Sequence, residues 1–200
     1  MTNSRGTYYS KREKEGFYNM AKKQGFRARS YFKLEQIDVK YNIIKDNLLI
    51  IDLGCAPGGW LEYIDNKVRN GKIVGIDLLE VKKQKEFSKN VQIIEDDFNN
   101  ISEYKLGDFD LVLSDMAPEF CGDSVVDRGR THKLNLKTLE FCRDHLKFGG
   151  NLVFKSFEGD DLESVRNAAR KMFQEVKEYK PKSSDKKSAE VFEICLFRVN

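Results

Sequence analysis

The sequence predicts an α/β domain: a mostly parallel sheet with helices on both faces and an antiparallel last strand. Two patterns predict it. Short aliphatic runs bounded by turn residues alternate with segments whose apolar residues recur at helical spacing, as in a parallel sheet covered on both sides. The last run is instead preceded by a turn-rich stretch, Pro181 to Ser188, so it closes the sheet as a hairpin strand. A chain of 200 residues has enough material for one core, and 40% hydrophobic with 34% charged residues excludes disordered, collagen-like and coiled-coil classes.

In chain order, Ser10 with Glu13 forms a capping box and Gly25 offers a stop, so a first helix is expected over residues 11–24. A second helix carries Tyr31, Leu34, Ile37 and Tyr41 on one stripe, with Lys33 on its flank, able to border a cleft. Strands are expected at 48–54, 72–79, 91–98, 109–116 and 150–157, and the closing one at 190–199. Covering helices are read from Leu61, Ile64 and Val68, and from Leu162, Val165, Ala169 and Met172, the latter capped by Asp160 and Glu163. There is no internal repeat. Residues 1–45 read as a basic helical extension packed on the same domain, and residues 46–200 as its main body.

The longest aliphatic run, Leu48 to Ile51, falls far short of the roughly 20 residues that cross a bilayer, so no membrane association is expected. Residues 1–5 lead into charged residues rather than an apolar signal, which makes the expected address cytoplasmic. Cys55, Cys121, Cys142 and Cys195 form no C-x-x-C pair, and only His132 and His145 accompany them. They are expected to be reduced, buried fillers, with no metal site, and the chain is expected to be a monomer.

The formal charge of +3 conceals an asymmetry. Residues 1–33 carry nine Lys or Arg against Glu13 and Glu15, whereas residues 34–200 carry 26 basic and 30 acidic side chains. Seven aromatics (Tyr8, Tyr9, Phe17, Tyr18, Phe26, Tyr31, Phe32) share the basic segment, and cations beside stacking rings suit a nucleic acid with exposed bases. The rival is a solvated helix whose rings pack on the core. A smaller basic cluster at Lys177, Lys180, Lys182, Lys186 and Lys187 would make the footprint bipartite.

In an open parallel sheet, ligands bind beyond the carboxyl ends of the strands, where Asp52, Asp77, Asp97 and Asp115 are all expected. The first strand exits into Asp52-Leu53-Gly54-Cys55-Ala56-Pro57-Gly58-Gly59-Trp60, a tight glycine-rich turn that lets the backbone approach a ligand. With Ala56 at the second glycine position this is not G-x-G-x-x-G, which disfavours a dinucleotide dehydrogenase. Asp77 is placed to accept both hydroxyls of a ribose and Asp97 an adenine amino group. Those needs describe adenosine without phosphates. S-adenosylmethionine meets them and adds positive charge that an acidic crevice favours. Lys155 interrupts a strand expected to be covered on both faces, where an unpaired ammonium costs several kcal/mol, so a partner must compensate. If the last strand is antiparallel, Glu190 arrives at the edge where Asp115 and Lys155 emerge.

The runs Arg29 to Leu34, Asp52 to Trp60, Ser114-Asp115-Met116-Ala117-Pro118, Val153 to Phe157 and Ser188 to Phe192 resemble, in order and spacing, the FtsJ/RrmJ family of ribose 2′-O-methyltransferases. The resemblance spans residues 17–199 and implies a Rossmann-like class I methyltransferase fold, with a mostly parallel seven-stranded sheet. It implies a Lys-Asp-Lys-Glu catalytic tetrad at Lys33, Asp115, Lys155 and Glu190, and S-adenosylmethionine contacts at Gly58, Trp60, Asp77, Asp97 and Asp115, with Asp96 the alternative to Asp97. SDMAP and APGGW resemble the branch that modifies a uridine in the A-loop of large-subunit ribosomal RNA, presented in the assembled subunit; a tRNA ribose methyltransferase and a non-catalytic RNA-binding assembly factor are the alternatives. Phe192, Ala189 and Cys55 depart from the commoner Tyr, Arg and Ala, and the missing Arg leaves one fewer group for RNA. In the expected mechanism, Lys155 orients the 2′-hydroxyl and accepts its proton. No metal is required, since the leaving thioether is neutral.

Overall fold

The computed structural model describes residues 16, 17, 19–81, 86–119, 121–185 and 188–200. Residues 19–24 are helical, while Ser10 and Glu13, the expected cap of that helix, lie outside the described residues. The elements that follow are α1 (Ser30–Tyr41), β1 (Leu48–Leu53), α2 (Gly59–Lys67), β2 (Gly71–Asp77), β3 (Val91–Glu95), a 3-10 turn (Phe98–Tyr104) and β4 (Phe109–Ser114). Then come α3 (Ser124–His145), β5 (Leu146–Phe157), α4 (Asp160–Arg170), β6 (Phe173–Tyr179) and β7 (Glu190–Arg198).

Among the described residues the strands form one seven-stranded sheet in the order β3-β2-β1-β4-β5-β7-β6. Neighbours from β3 to β5 pair in parallel, and β7 runs antiparallel to both β5 and β6. Strand alternation sends successive side chains to opposite faces. Ile50, Ile73, Leu111, Leu113, Val153, Phe192 and Ile194 pack under α1 and α2. Ile51, Leu53, Val74, Val112, Leu152, Phe154 and Cys195 pack under α3 and α4. Because both faces are covered, the strands read as continuous apolar runs, and the sheet's carboxyl rim is left to polar chemistry.

α1 buries Tyr31, Phe32, Leu34 and Ile37, as its stripe predicts. It is anchored by Asp38, whose buried carboxylate accepts from Tyr63 Oη at 2.7 Å, from the Ile44 amide at 2.9 Å and from Lys67. One carboxylate thereby ties α1 to α2 and to the segment entering β1. Phe26 stacks on Tyr31 with ring centroids 3.8 Å apart, and Phe17 lies 5.6 Å from Phe32. Tyr31 and Phe32 are core, and the partly buried Phe17 and Phe26 pack against it. That half of the nucleic-acid signal falls to the packing reading; Tyr8, Tyr9 and Tyr18 lie outside the described residues.

Other expectations are corrected. β2 and β3 end at Asp77 and Glu95, short of the expected 79 and 98, because the next residues turn outward to build the crevice. α4 has Gly159 at its N-cap with no side-chain bond, and Glu163 pairs forward with Arg170 instead of capping. All four cysteines are free, but Cys121 is exposed, its amide and thiol donating to Asp127. No described helix is long and apolar enough to cross a membrane.

Candidate active site

At the carboxyl end of β1 the chain turns under Met116. Gly54 has φ +76°, and a Cβ there would lie 2.5 Å from Met116 Cγ, so only glycine lets the two loops meet. The turn is fixed from β2: the Gly54 amide donates to the Ile76 carbonyl at 2.9 Å, and the Ala56 amide to Asp77 Oδ2 at 2.8 Å. The Leu79 amide donates to Asp77 Oδ1 at 2.9 Å. Asp77 thus holds two loops and lines the crevice.

The crevice has a volume of about 640 Å³, within the range of small-molecule sites. Asp77, Asp97 and Asp115 lie along it, with Leu78, Leu79 and Phe98 as apolar wall. Its two adjacent acids differ. Asp96 accepts from Tyr104 Oη at 2.7 Å, Asn100 Nδ2 at 3.0 Å and the Asp97 amide at 2.7 Å, bonds that also hold its carboxyl below the usual range. Among the described residues Asp97 accepts through Oδ1 alone, from the Asn99 amide and side chain, which leaves Oδ2 available.

Asp52 does not line the crevice. It is 0% exposed, beneath the glycine-rich turn, and neither oxygen has a hydrogen-bond partner among the described residues. Burial, reinforced by Asp115 and Asp77, pushes its pKa well above that of a free carboxyl. The Trp60 indole also points elsewhere: it is buried, donates to the Ser30 carbonyl at 3.0 Å and lies against Phe192. Gly58 is packed against Arg27, Val81 and Phe87. Neither residue lines the crevice, so only the backbone of Gly58 and Trp60 is left to serve a ligand. A sequence pattern registers that a tryptophan is present but not which way its ring turns.

The four expected catalytic residues meet as two ion pairs. Lys33, 6% exposed on α1, places Nζ 2.8 Å from Glu190 Oε2 at the start of β7. Lys155 Nζ lies 2.9 Å from Asp115 Oδ1 and donates to the Asp115 carbonyl. Strand register joins the pairs, since Lys155 on β5 faces Phe192 and Glu190 lies two residues before Phe192 on the same sheet face. Lys33 Nζ also lies 5.6 Å from the centre of the Phe192 ring. The ammonium that the sequence left uncompensated therefore has a carboxylate partner.

Burial alone would raise the Glu190 pKa. The Lys33 ammonium, bonds from Lys33 and Ser184, and the Lys155 charge together overcome it, leaving the carboxyl below its usual value. The Ser184 contact, Oγ donating to Glu190 Oε1 at 2.7 Å, had no periodic signal in the sequence because it sits in the loop before β7. Arg130, Lys133 and Lys137, which also line the crevice, were equally unmarked in a helix with few apolar residues.

The sequence pattern of FtsJ-like methyltransferases matches residues 26–198. This chain belongs to that family. The FtsJ-like chain is 35% identical over 199 residues to a protein of Methanosphaera stadtmanae named Ribosomal RNA large subunit methyltransferase E, covering 93% of this chain and 94% of the relative. A protein of the same name from Pelagibacter ubique is 36% identical, with 94% of each chain covered. A solved ribosomal RNA methyltransferase from Plasmodium falciparum superposes with a TM-score of 0.74 at 29% identity, covering 88% of this chain and 100% of that one. Aeropyrum pernix fibrillarin, solved with S-adenosyl-L-methionine, shares the fold at a TM-score of 0.59 and 13% identity, over 77% of this chain and 68% of that one.

Proposed function

We propose that this FtsJ-like methyltransferase methylates a ribose 2′-hydroxyl of large-subunit ribosomal RNA, at a uridine of the A-loop. The observation that carries this reading is the meeting of Lys33, Asp115, Lys155 and Glu190 as two ion pairs beside an acidic crevice. The names of its relatives support the RNA substrate. S-adenosylmethionine, when bound, supplies a methyl group on a positively charged sulfur. The crevice residues fit it: Asp97 Oδ2 is an acceptor unused among the described residues, Asp77 keeps lone pairs for ribose hydroxyls, and the carboxylates match a cation. Between the neighbouring Asp96 and Asp97, the free oxygen favours Asp97 as the adenine contact.

Positioning of the acceptor oxygen supplies much of the rate in this reading. Lys155, steered by Asp115, orients the hydroxyl and in its unprotonated form takes up the proton released as the oxygen–carbon bond forms and the carbon–sulfur bond breaks. Lys33 and Glu190 hold the next positions on the rim. The leaving thioether is neutral, so the transfer calls for no metal. The basic stretch through residue 45 rides on a methyltransferase domain of residues 46–200, and the protein acts as a monomer in the cytoplasm. Among the described residues of the two basic clusters, Lys22, Lys23 and Lys182 are exposed and open to RNA, whereas Lys177 and Lys180 pair with Glu175 and Glu158.

The test is transfer of tritiated methyl groups into large ribosomal subunits and tRNA from cells lacking the gene. Label on a ribose of the large-subunit RNA is expected, abolished by Lys155→Ala with donor affinity within a few fold. Label on tRNA alone would overturn the acceptor, and full turnover by Lys155→Ala would overturn the mechanism.

A further inference from the structure

The crevice is lined by charges of both signs. Asp77, Asp96, Asp97, Asp115 and Glu119 line it, and Arg130, Lys133 and Lys137 of α3 line it as well. Spacings of three and four residues place these cations on a single helical stripe, about 10 Å long at the α-helical rise. None of the three makes a salt bridge among the described residues, and Arg130 alone feels a nearby carboxylate, that of Asp127 one turn back on α3. Arg130 donates to the Glu119 carbonyl at 2.8 Å, Lys137 to Asn99 Oδ1 at 3.3 Å, and Lys133 is exposed. Three cations beside one crevice repel one another and would repel a methyl donor with net positive charge. The acidic side chains serve the donor, so the basic row calls for an anion of its own.

We propose that Arg130, Lys133 and Lys137 form a phosphate-binding track for the RNA strand whose ribose enters at Lys155. This rests on the RNA-methylation reading. The loop 116–119 joins Asp115 to the near end of the row, and the Arg130 bond to Glu119 fixes the row to that loop. A strand leaving the acceptor position on this side therefore meets the cations next, and its phosphodiesters supply the missing charge.

The test uses Lys133→Gln/Lys137→Gln, which keeps the Arg130 tether, and Lys133→Arg/Lys137→Arg, which keeps the charge. Binding of a single-stranded RNA 20-mer is measured across salt concentrations. The Gln variant is expected to lower the salt slope by about 1.4, at about 0.7 for each single-strand phosphate that is no longer neutralised, and the Arg variant to restore it. KM for large subunits should rise about tenfold with kcat retained, as when a backbone phosphate is held less tightly, while calorimetry gives a donor Kd within twofold of the parent. An unchanged slope and KM overturn the track. A weakened donor Kd with unchanged RNA binding overturns it in favour of pairing with the donor's carboxylate. A parent protein that labels no RNA overturns the methylation reading instead, and the salt slope still judges the track.

Discussion

Replacing Glu190 by Gln removes one charge from the Lys33–Glu190 pair and keeps the side chain's size. The pair is 2.8 Å long, with side-chain exposures of 8% and 14%, so Lys33 would be left with little water, a neutral amide oxygen in place of the carboxylate and the Phe192 ring face 5.6 Å away. Breaking a buried pair on one side costs roughly 3–5 kcal/mol. The pair borders an open rim, where water screens part of the loss, so the low end of about 3 kcal/mol is expected. At roughly 2–4 °C per kcal/mol for a chain of this length, Tm should fall by about 6–12 °C. The pH dependence has a definite sign. A carboxyl held below its usual pKa stabilises the native state above the unfolded value of about 4.3 and loses that contribution as pH falls through the lower, folded value. The gap between parent and Glu190→Gln should therefore be full at pH 7 and close on acidification. Scanning calorimetry at both ends of that range reads it. A Tm within 2 °C of the parent at pH 7, or a gap that persists in acid, refutes the reasoning, and the Lys33→Met/Glu190→Gln double variant should recover stability by removing the stranded charge.

Asp52 should behave in the opposite sense. Its raised pKa means that the native state binds the proton more tightly than the unfolded chain, which ionises above about pH 4, so stability drains away as pH rises; Asp52→Asn should gain on the parent between pH 4 and pH 7, and parallel melting curves would contradict this. Gly54→Ala places a methyl 2.5 Å from Met116 Cγ at φ +76°; it should cost at least about 1–2 kcal/mol from the backbone alone and weaken donor binding, measured by urea unfolding and calorimetry. Asp97→Ala should reduce donor affinity through loss of the open oxygen, whereas Asp96→Ala should chiefly loosen the 98–104 turn; equal calorimetric effects would remove the distinction.

The inner parallel strands β1, β2, β4 and β5 were legible because they bury both faces at their centres, and the Asp52-to-Trp60 turn was legible because tight backbone leaves a glycine pattern. β6 was not read as a strand. Its Glu175, Lys177 and Glu178 read as solvated surface, and only pairing with β7 makes that edge segment extended. α3 went unread for a related reason: it has few apolar residues and contains Gly129, and its helical state depends on packing Leu139, Phe141 and Cys142 against the sheet.

The kinds of chemistry were set by the order of residues in the chain, since a lysine inside an apolar run and acids at strand ends are costly anywhere but at a polar rim. How those groups are used depended on tertiary structure. Lys33 and Glu190 lie far apart in the chain, and only the reversal of β7 beside β5 and the seating of α1 on the same face bring them together. Likewise, nothing in a linear pattern separates Asp97, with an open oxygen, from Asp96, both of whose oxygens accept bonds, or from Asp52, buried with its pKa raised, because burial and hydrogen-bond satisfaction belong to the surroundings that a carboxyl acquires on folding.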